Sequence, residues 1–212
     1  MLEGKPLRAA LEEITAAAYH GILFRCVSLR SLLGLVTDPA GHVVITRPNP
    51  HFLFDRGPVR DGGRFTPIGG EPSLYMAETE NTARLEKRQG AAFRTVRQEG
   101  HGIEVAYALE ATLTNVLDLT SLDVADRLET SRDEIIEAWR FRPDDRTPPT
   151  HILGAAVVKS KRFSAIRYPS AANQNSSGLG GVPKDSAFVD WTKPWNEQTG
   201  PTYPLYEGIG TP

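Results

Sequence analysis

Arginine, tyrosine, glutamate and serine are the residue types left to carry chemistry once the commoner motifs are tested. The chain has no G-x-x-x-x-G-K-[ST], so no phosphate-binding P-loop. Gly178, Gly180 and Gly181 do not make G-x-G-x-x-G. Neither G-x-S-x-G nor H-E-x-x-H occurs. The five histidines, His20, His42, His51, His101 and His151, lack metal-ligand spacing and read as surface or hydrogen-bonded structural residues. The single cysteine, Cys26, excludes an internal disulfide and any zinc site built on several thiolates. It lies in an apolar LFRCV stretch, where a buried inert thiol is the natural reading. What remains centres on Asp61–Glu86, DGGRFTPIGGEPSLYMAETENTARLE.

Each residue there has an ordinary explanation. Arg64 in a Gly-rich turn is by default a solvated surface arginine. Tyr75 in an apolar strand is by default a core aromatic. Glu86, beside Arg84, Lys87 and Arg88, is by default an ion-pair partner on a helix surface. Outside the stretch, Arg25 within a strand reads as a structural ion pair, and Ser170 after Pro169 as a turn residue. Taken singly, every default outweighs a functional role.

Their order along the chain changes that balance. Gly62-Gly63-Arg64-Phe65, Leu74-Tyr75-Met76-Ala77-Glu78, and Thr82-Ala83 with Glu86 follow one another as in the RES domain family, named for Arg, Glu and Ser. Phe24-Arg25 matches that family's early aromatic-Arg pair, Thr150–Val158 (THILGAAVV) resembles its TQ-x-LG-x-A helix, and Tyr168-Pro169-Ser170-Ala171 matches its YPSA segment. The resemblance runs from about 24 to 190. Phe65 stands where the family has Trp, and Thr66 where it has Asn.

The resemblance implies a fold like that of the ADP-ribosyltransferases and an activity that consumes NAD as substrate, without a metal. It implies a toxin of a two-gene module, held by an Xre-type helix-turn-helix antitoxin, with a homodimer envisaged inside that complex. Glu86, Tyr75 and Arg64 become the catalytic candidates. Arg25, Arg64, Tyr75 and Ser170 become the NAD-binding candidates, and Glu78 and Glu80 compete for the carboxylate role. These residue types suit the chemistry. Guanidinium forks match pyrophosphate oxygens. A carboxylate beside the ribose stabilises the oxocarbenium-like cation left when nicotinamide departs. Tyr75 can stack on nicotinamide or ribose. The leaving group is already cationic, so no strong general acid is required. Two outcomes share this first step: glycosidic cleavage with water or phosphate as acceptor, or mono-ADP-ribosylation of a target protein. A different class is an inactive module that only binds the antitoxin.

The elements that must position these residues follow from the pattern. The chain has 212 residues with 24 Lys+Arg against 26 Asp+Glu, enough for one domain that buries roughly 70% of its unfolded surface. The net charge of -2 argues against a protein built to grip nucleic acid. The acidic N-terminal stretch is no signal peptide, and the apolar runs are too short to span a bilayer, so a cytoplasmic location away from membranes is expected. The pattern predicts an amphipathic helix over 6–19 ended by Gly21, and strands at Ile22–Val27, Gly41–Thr46, Ser73–Ala77, Glu104–Ala111, Asn115–Leu119, Phe163–Tyr168 and Ala187–Trp191. It predicts helices from a Thr79 cap to about Val96, over 132–140 behind a Ser131-x-x-Glu134 capping box, and over 151–160 capped by Thr150. Residues 47–63, 143–149 and 170–186 read as loops or linkers. The result is one α+β domain over 1–191, a β-sheet core flanked by helices, and an extended Pro/Gly-rich tail over 192–212.

Overall fold

The structure is a computed structural model that describes residues 1–29, 32, 35–37, 40–45, 57–92, 103–137, 139, 146–171 and 186–190. The tail 192–212, the helix extension 93–96 and most of the loops 47–63 and 170–186 lie outside the described residues. The fold is α+β, as expected, and its sheet closes into a barrel.

Helix α1 (Gly4–Glu13) buries Leu7 and Leu11, one turn apart on one face. It stops at Glu13, because Ile14 is already extended with ψ 127°. Arg162 fills the helix end by donating to the carbonyls of Leu11 and Ile14, which have no intrahelical partner. The expected helix to residue 19 is therefore too long. Residues 17–20 belong instead to strand β1 (Ala17–Ser28), which runs straight through Gly21. Its partner β5 (Glu104–Asp118) holds it in antiparallel register from Ala17↔Val116 to Ser28↔Glu104. That long ladder overrides the local helical spacing.

β5 is also one strand where two were expected. Between Ala17↔Val116 and Tyr19↔Leu113, one β1 residue faces two on β5. This bulge leaves Thr114 and Asn115 both exposed and breaks the alternation, so the ladder continues where the sequence reads as a turn.

Three short strands complete the barrel: β4 (Leu74–Ala77), β6 (Ala165–Pro169) and β7 (Ser186–Asp190). The closed order is β1-β4-β7-β6-β5. Only β5 and β6 run parallel; the other pairings are antiparallel. Strands β2 (Leu35–Thr37) and β3 (Val43–Ile45) form a separate hairpin.

A short helix, α2 (Gly57–Asp61), stands where a loop was expected. Helix α3 (Glu80–Ala92) starts as the sequence suggests: the Thr82 amide donates to Thr79 Oγ1 at 3.1 Å. Helix α4 (Leu122–Arg127) was not anticipated. In α5 (Arg132–Ile136), Ser131 Oγ accepts from the Glu134 amide at 3.2 Å, as a capping residue should. That helix ends at Ile136, short of the expected 140. Glu134 does not reach back to close the box; its carboxylate takes the N-terminal amine of Met1 and the Thr130 hydroxyl. Helix α6 (Pro149–Ser160) begins earlier than expected. Pro149 occupies the first turn, where a missing N–H costs nothing, and Thr150 lies inside the helix rather than capping it.

The main core joins α1, α4, α5 and α6 to the barrel through Leu7, Leu11, Leu128, Ile135, Leu153 and Ile166. Each such buried aliphatic contributes about 1.5–3 kcal/mol relative to an exposed one. Gly154 marks the tightest approach. A Cβ there would stand 1.9 Å from the Phe65 carbonyl oxygen, so only glycine lets α6 press this close to the loop carrying Arg64.

Candidate active site

The loop Gly62–Pro67 is held from three sides. Tyr75, projecting from β4, accepts the Phe65 amide on its hydroxyl at 3.0 Å and shares a bond with Thr66 Oγ1 at 3.0 Å. Thr66 Oγ1 in turn meets Ser73 Oγ at 2.7 Å. From α6, His151 Nε2 donates to the Gly63 carbonyl at 2.8 Å. The Trp139 ring lies 5.2 Å from the His151 ring. At Gly63 a Cβ would come within 2.5 Å of the Tyr75 hydroxyl, so the absence of a side chain lets the tyrosine reach the backbone. Burial raises the Tyr75 phenol above its ordinary 10.0, and it lowers His151 below 6.5 against the opposing pull of the Gly63 bond. Tyr75 is thus a neutral phenol whose hydroxyl braces the loop.

Arg64 leaves this braced loop to donate Nη1 to the Ile135 and Glu137 carbonyls at 2.7 and 2.8 Å. It tethers the loop to the end of α5, where helix carbonyls lack partners and favour a cation. Arg25 is buried, 6% exposed, and donates Nη1 to the Tyr75 carbonyl at 3.1 Å. It ties β1 to β4 at the point where the tyrosine projects.

Glu86 lies on α3. Ser170, 2% exposed at the end of β6, donates its hydroxyl to Glu86 Oε1 at 2.5 Å. The default ion pair of Glu86 with its helix neighbours, set aside on the family match, does not form among the described residues. Arg84 pairs with Glu80, and among the described residues no cation forms a salt bridge to Glu86. The two competing carboxylates are occupied elsewhere. Glu78 takes Arg167 Nη2 at 2.8 Å, while Glu80 is an exposed partner of Arg84.

Tyr168 links the halves of the site. Its ring packs edge-on to Phe65, with centroids 4.8 Å apart. Burial first, then Glu86 and Tyr75, push its phenol well above 10.0, while Arg64 pulls the other way. Both Glu86 and Arg64 therefore act on one buried hydroxyl. The structure brings Glu86 and Ser170 into contact, sets Arg25 against the Tyr75 carbonyl, and braces the loop that carries Arg64 with the Tyr75 hydroxyl from β4. Tyr168 and the loop-holding role of His151 were missed by sequence reasoning. The available signal for Tyr168 was its position two residues before Ser170 at a strand end, the spacing that returns a side chain to the same face.

Among the described residues no group of three His, Cys, Asp or Glu could hold a metal ion, and no helix is long and apolar enough to cross a membrane. The search of curated proteins finds no match. Among solved structures, the chain is similar to the crystal structure of the M. tuberculosis MbcT-MbcA toxin-antitoxin complex. The TM-score is 0.60 and the identity 16%, over 93% of this chain and 87% of that one. At that identity the likeness speaks for the fold. The sequence itself matches the RES domain over residues 45–180, a span that holds Arg64, Tyr75, Glu86, Tyr168 and Ser170 and exceeds half the chain. The protein belongs to the RES domain family.

Proposed function

We propose that the protein is the toxin of a toxin–antitoxin module and that it binds NAD and breaks the nicotinamide–ribose bond. The observation that carries this reading is the Glu86 carboxylate: among the described residues no cation forms a salt bridge to it, and a buried hydroxyl orients it. Family membership and the likeness to a solved toxin–antitoxin structure support the biological role.

In this reading Arg64 meets the pyrophosphate with the guanidinium nitrogens not bound to the α5 carbonyls. Arg25 is the candidate for a second pyrophosphate contact, and through its bond to the Tyr75 carbonyl it also ties β1 to β4, holding Tyr75 and with it the loop. The ribose sits against Glu86. The C1′–N bond breaks heterolytically, nicotinamide leaves neutral with the electron pair, and positive charge appears on the ribosyl ring. Glu86 faces that charge, which exists only in the transition state, so the contact accelerates the step rather than merely tightening binding. Ser170 fixes the carboxylate and costs no reorganisation when the bond breaks. An acceptor then attacks C1′ and gives up its proton. Water or phosphate makes the protein an NAD glycohydrolase or phosphorylase; a protein side chain makes it a mono-ADP-ribosyltransferase.

An Xre-type helix-turn-helix antitoxin masks the site, since NAD sites are concave and a partner segment can fill one. The test is incubation with NAD, with and without cell extract, following free nicotinamide and protein-bound ADP-ribose. Nicotinamide released without extract supports cleavage. Release that requires extract and labels a protein supports the transferase. NAD left intact in both arms refutes the enzymatic reading and leaves an antitoxin-binding module.

A further inference from the structure

Among the described residues the Tyr168 hydroxyl is a polar group of the site that no internal hydrogen bond uses. The residue is 3% exposed, and its ring is fixed against Phe65 within the main core. Yet no described residue hydrogen-bonds its hydroxyl, in contrast to Tyr75, whose hydroxyl has two partners. Nor is the oxygen among the fully sealed side-chain atoms that lack a bond. With no internal bond and no seal over it, the oxygen is within reach of a molecule entering the site. Two residues further along, Ser170 turns its hydroxyl to Glu86. Tyr168 therefore lies on the side of the β6 end that carries the carboxylate.

We propose that the Tyr168 hydroxyl is a ligand-facing donor, completed by an acceptor oxygen on the nicotinamide–ribose half of NAD. This rests on the NAD reading above. Glu86 repels a phosphate near it, which places the pyrophosphate toward Arg64 and leaves an uncharged oxygen, the carboxamide or a ribose hydroxyl, for the phenol. Burial and Glu86 keep the phenol protonated, so it donates. Tyr168 is a specificity-determining residue, and its contact is made before and during bond breaking alike.

Tyr168→Phe tests this, because it keeps the ring against Phe65 and deletes only an oxygen with no internal partner. Affinities for NAD, nicotinamide and ADP-ribose are measured by calorimetry on wild type and variant, with KM, kcat and the thermal midpoint. NAD should bind about three- to tenfold more weakly, the worth of one hydrogen bond. KM should rise with kcat nearly unchanged, and the midpoint should hold or increase. A parallel loss for nicotinamide assigns the carboxamide; a loss for ADP-ribose assigns the ribose. Unchanged affinity for all three overturns the proposal while the NAD reading stands. A lowered midpoint with unchanged affinity does the same, by showing a purely structural hydroxyl. If the wild type binds none of the three, the NAD reading itself fails and takes the proposal with it. Tyr168→Trp gives a second check: by crowding the donor position it should weaken NAD more than Tyr168→Phe does, and equal binding by both counts against the contact.

Discussion

Glu78 and Glu86 are eight residues apart, and both face the end of β6, yet their surroundings are opposite. Arg167 holds Glu78 and also Asp118, at 2.8 and 3.1 Å. Both carboxylates there share the Arg167 guanidinium, and the three residues tie β4, β5 and β6 together. Three residues on from Arg167 stands Ser170, a neutral donor that orients Glu86 without balancing its charge. The same two segments thus meet twice, once as a closed ion-pair network and once as an open carboxylate. A closed network serves the fold. An open one leaves charge available for a ligand, and that difference is the ground for proposing Glu86 among three carboxylates that the sequence alone places within nine residues.

The comparison can be broken by exchanging charge for amide at each position. Glu86→Gln should lower nicotinamide release ~10²–10³-fold, about 3–4 kcal/mol in the barrier. NAD affinity and the thermal midpoint should move far less, because the ground state feels only a hydroxyl hydrogen bond. Glu78→Gln should reverse this pattern. It leaves Arg167 partly buried with one carboxylate instead of two. The cost is about 1–3 kcal/mol of stability, below that of breaking a fully buried pair because both side chains touch solvent, and denaturant unfolding measures it.

Arg64→Ala sharpens the ligand side. Pyrophosphate charge is present before and during the reaction, so KM should rise first, about tenfold for one lost charge-assisted contact. A kcat loss with unchanged KM would show that Arg64 serves only to tether the α5 carbonyls. The smallest effect concerns pH. Burial sets His151 below its ordinary 6.5, so between that lowered value and 6.5 the unfolded chain binds the proton more readily. Stability should be fully present above about 6.5 and decline as pH falls toward the folded value. His151→Gln, which can still donate to Gly63, should flatten that decline in denaturant melts at pH 5–7.5.

The sequence made local signals legible and hid those that depend on distant partners. Caps at Thr79 and Ser131 are short-range, since a hydroxyl meets an amide three residues on, and both could be read directly. The end of α1 could not, because the groups that finish it come from Arg162 and from the ladder with β5. The bulge at Thr114 and Asn115 disguised one strand as two, since it shifts the alternation on which strand reading depends. Within the site, the ordered motifs pointed to the residues, but not to their contacts. Nothing local says that Tyr75 spends its hydroxyl on the loop, that Arg25 grips a backbone carbonyl, or that Tyr168 leaves its own hydroxyl open. Those facts arise where β4, α3, β6 and α6 converge.

The most direct measurement is nicotinamide release at saturating NAD, in the presence of a chelator, by wild type, Glu78→Gln and Glu86→Gln side by side. If Glu86 is the working carboxylate, wild type turns over without a metal, Glu78→Gln keeps a rate within about tenfold of it, and Glu86→Gln alone loses ~10²–10³. Wild-type turnover by Glu86→Gln together with an inactive, folded Glu78→Gln would contradict it, by placing the working carboxylate inside the ion-pair network.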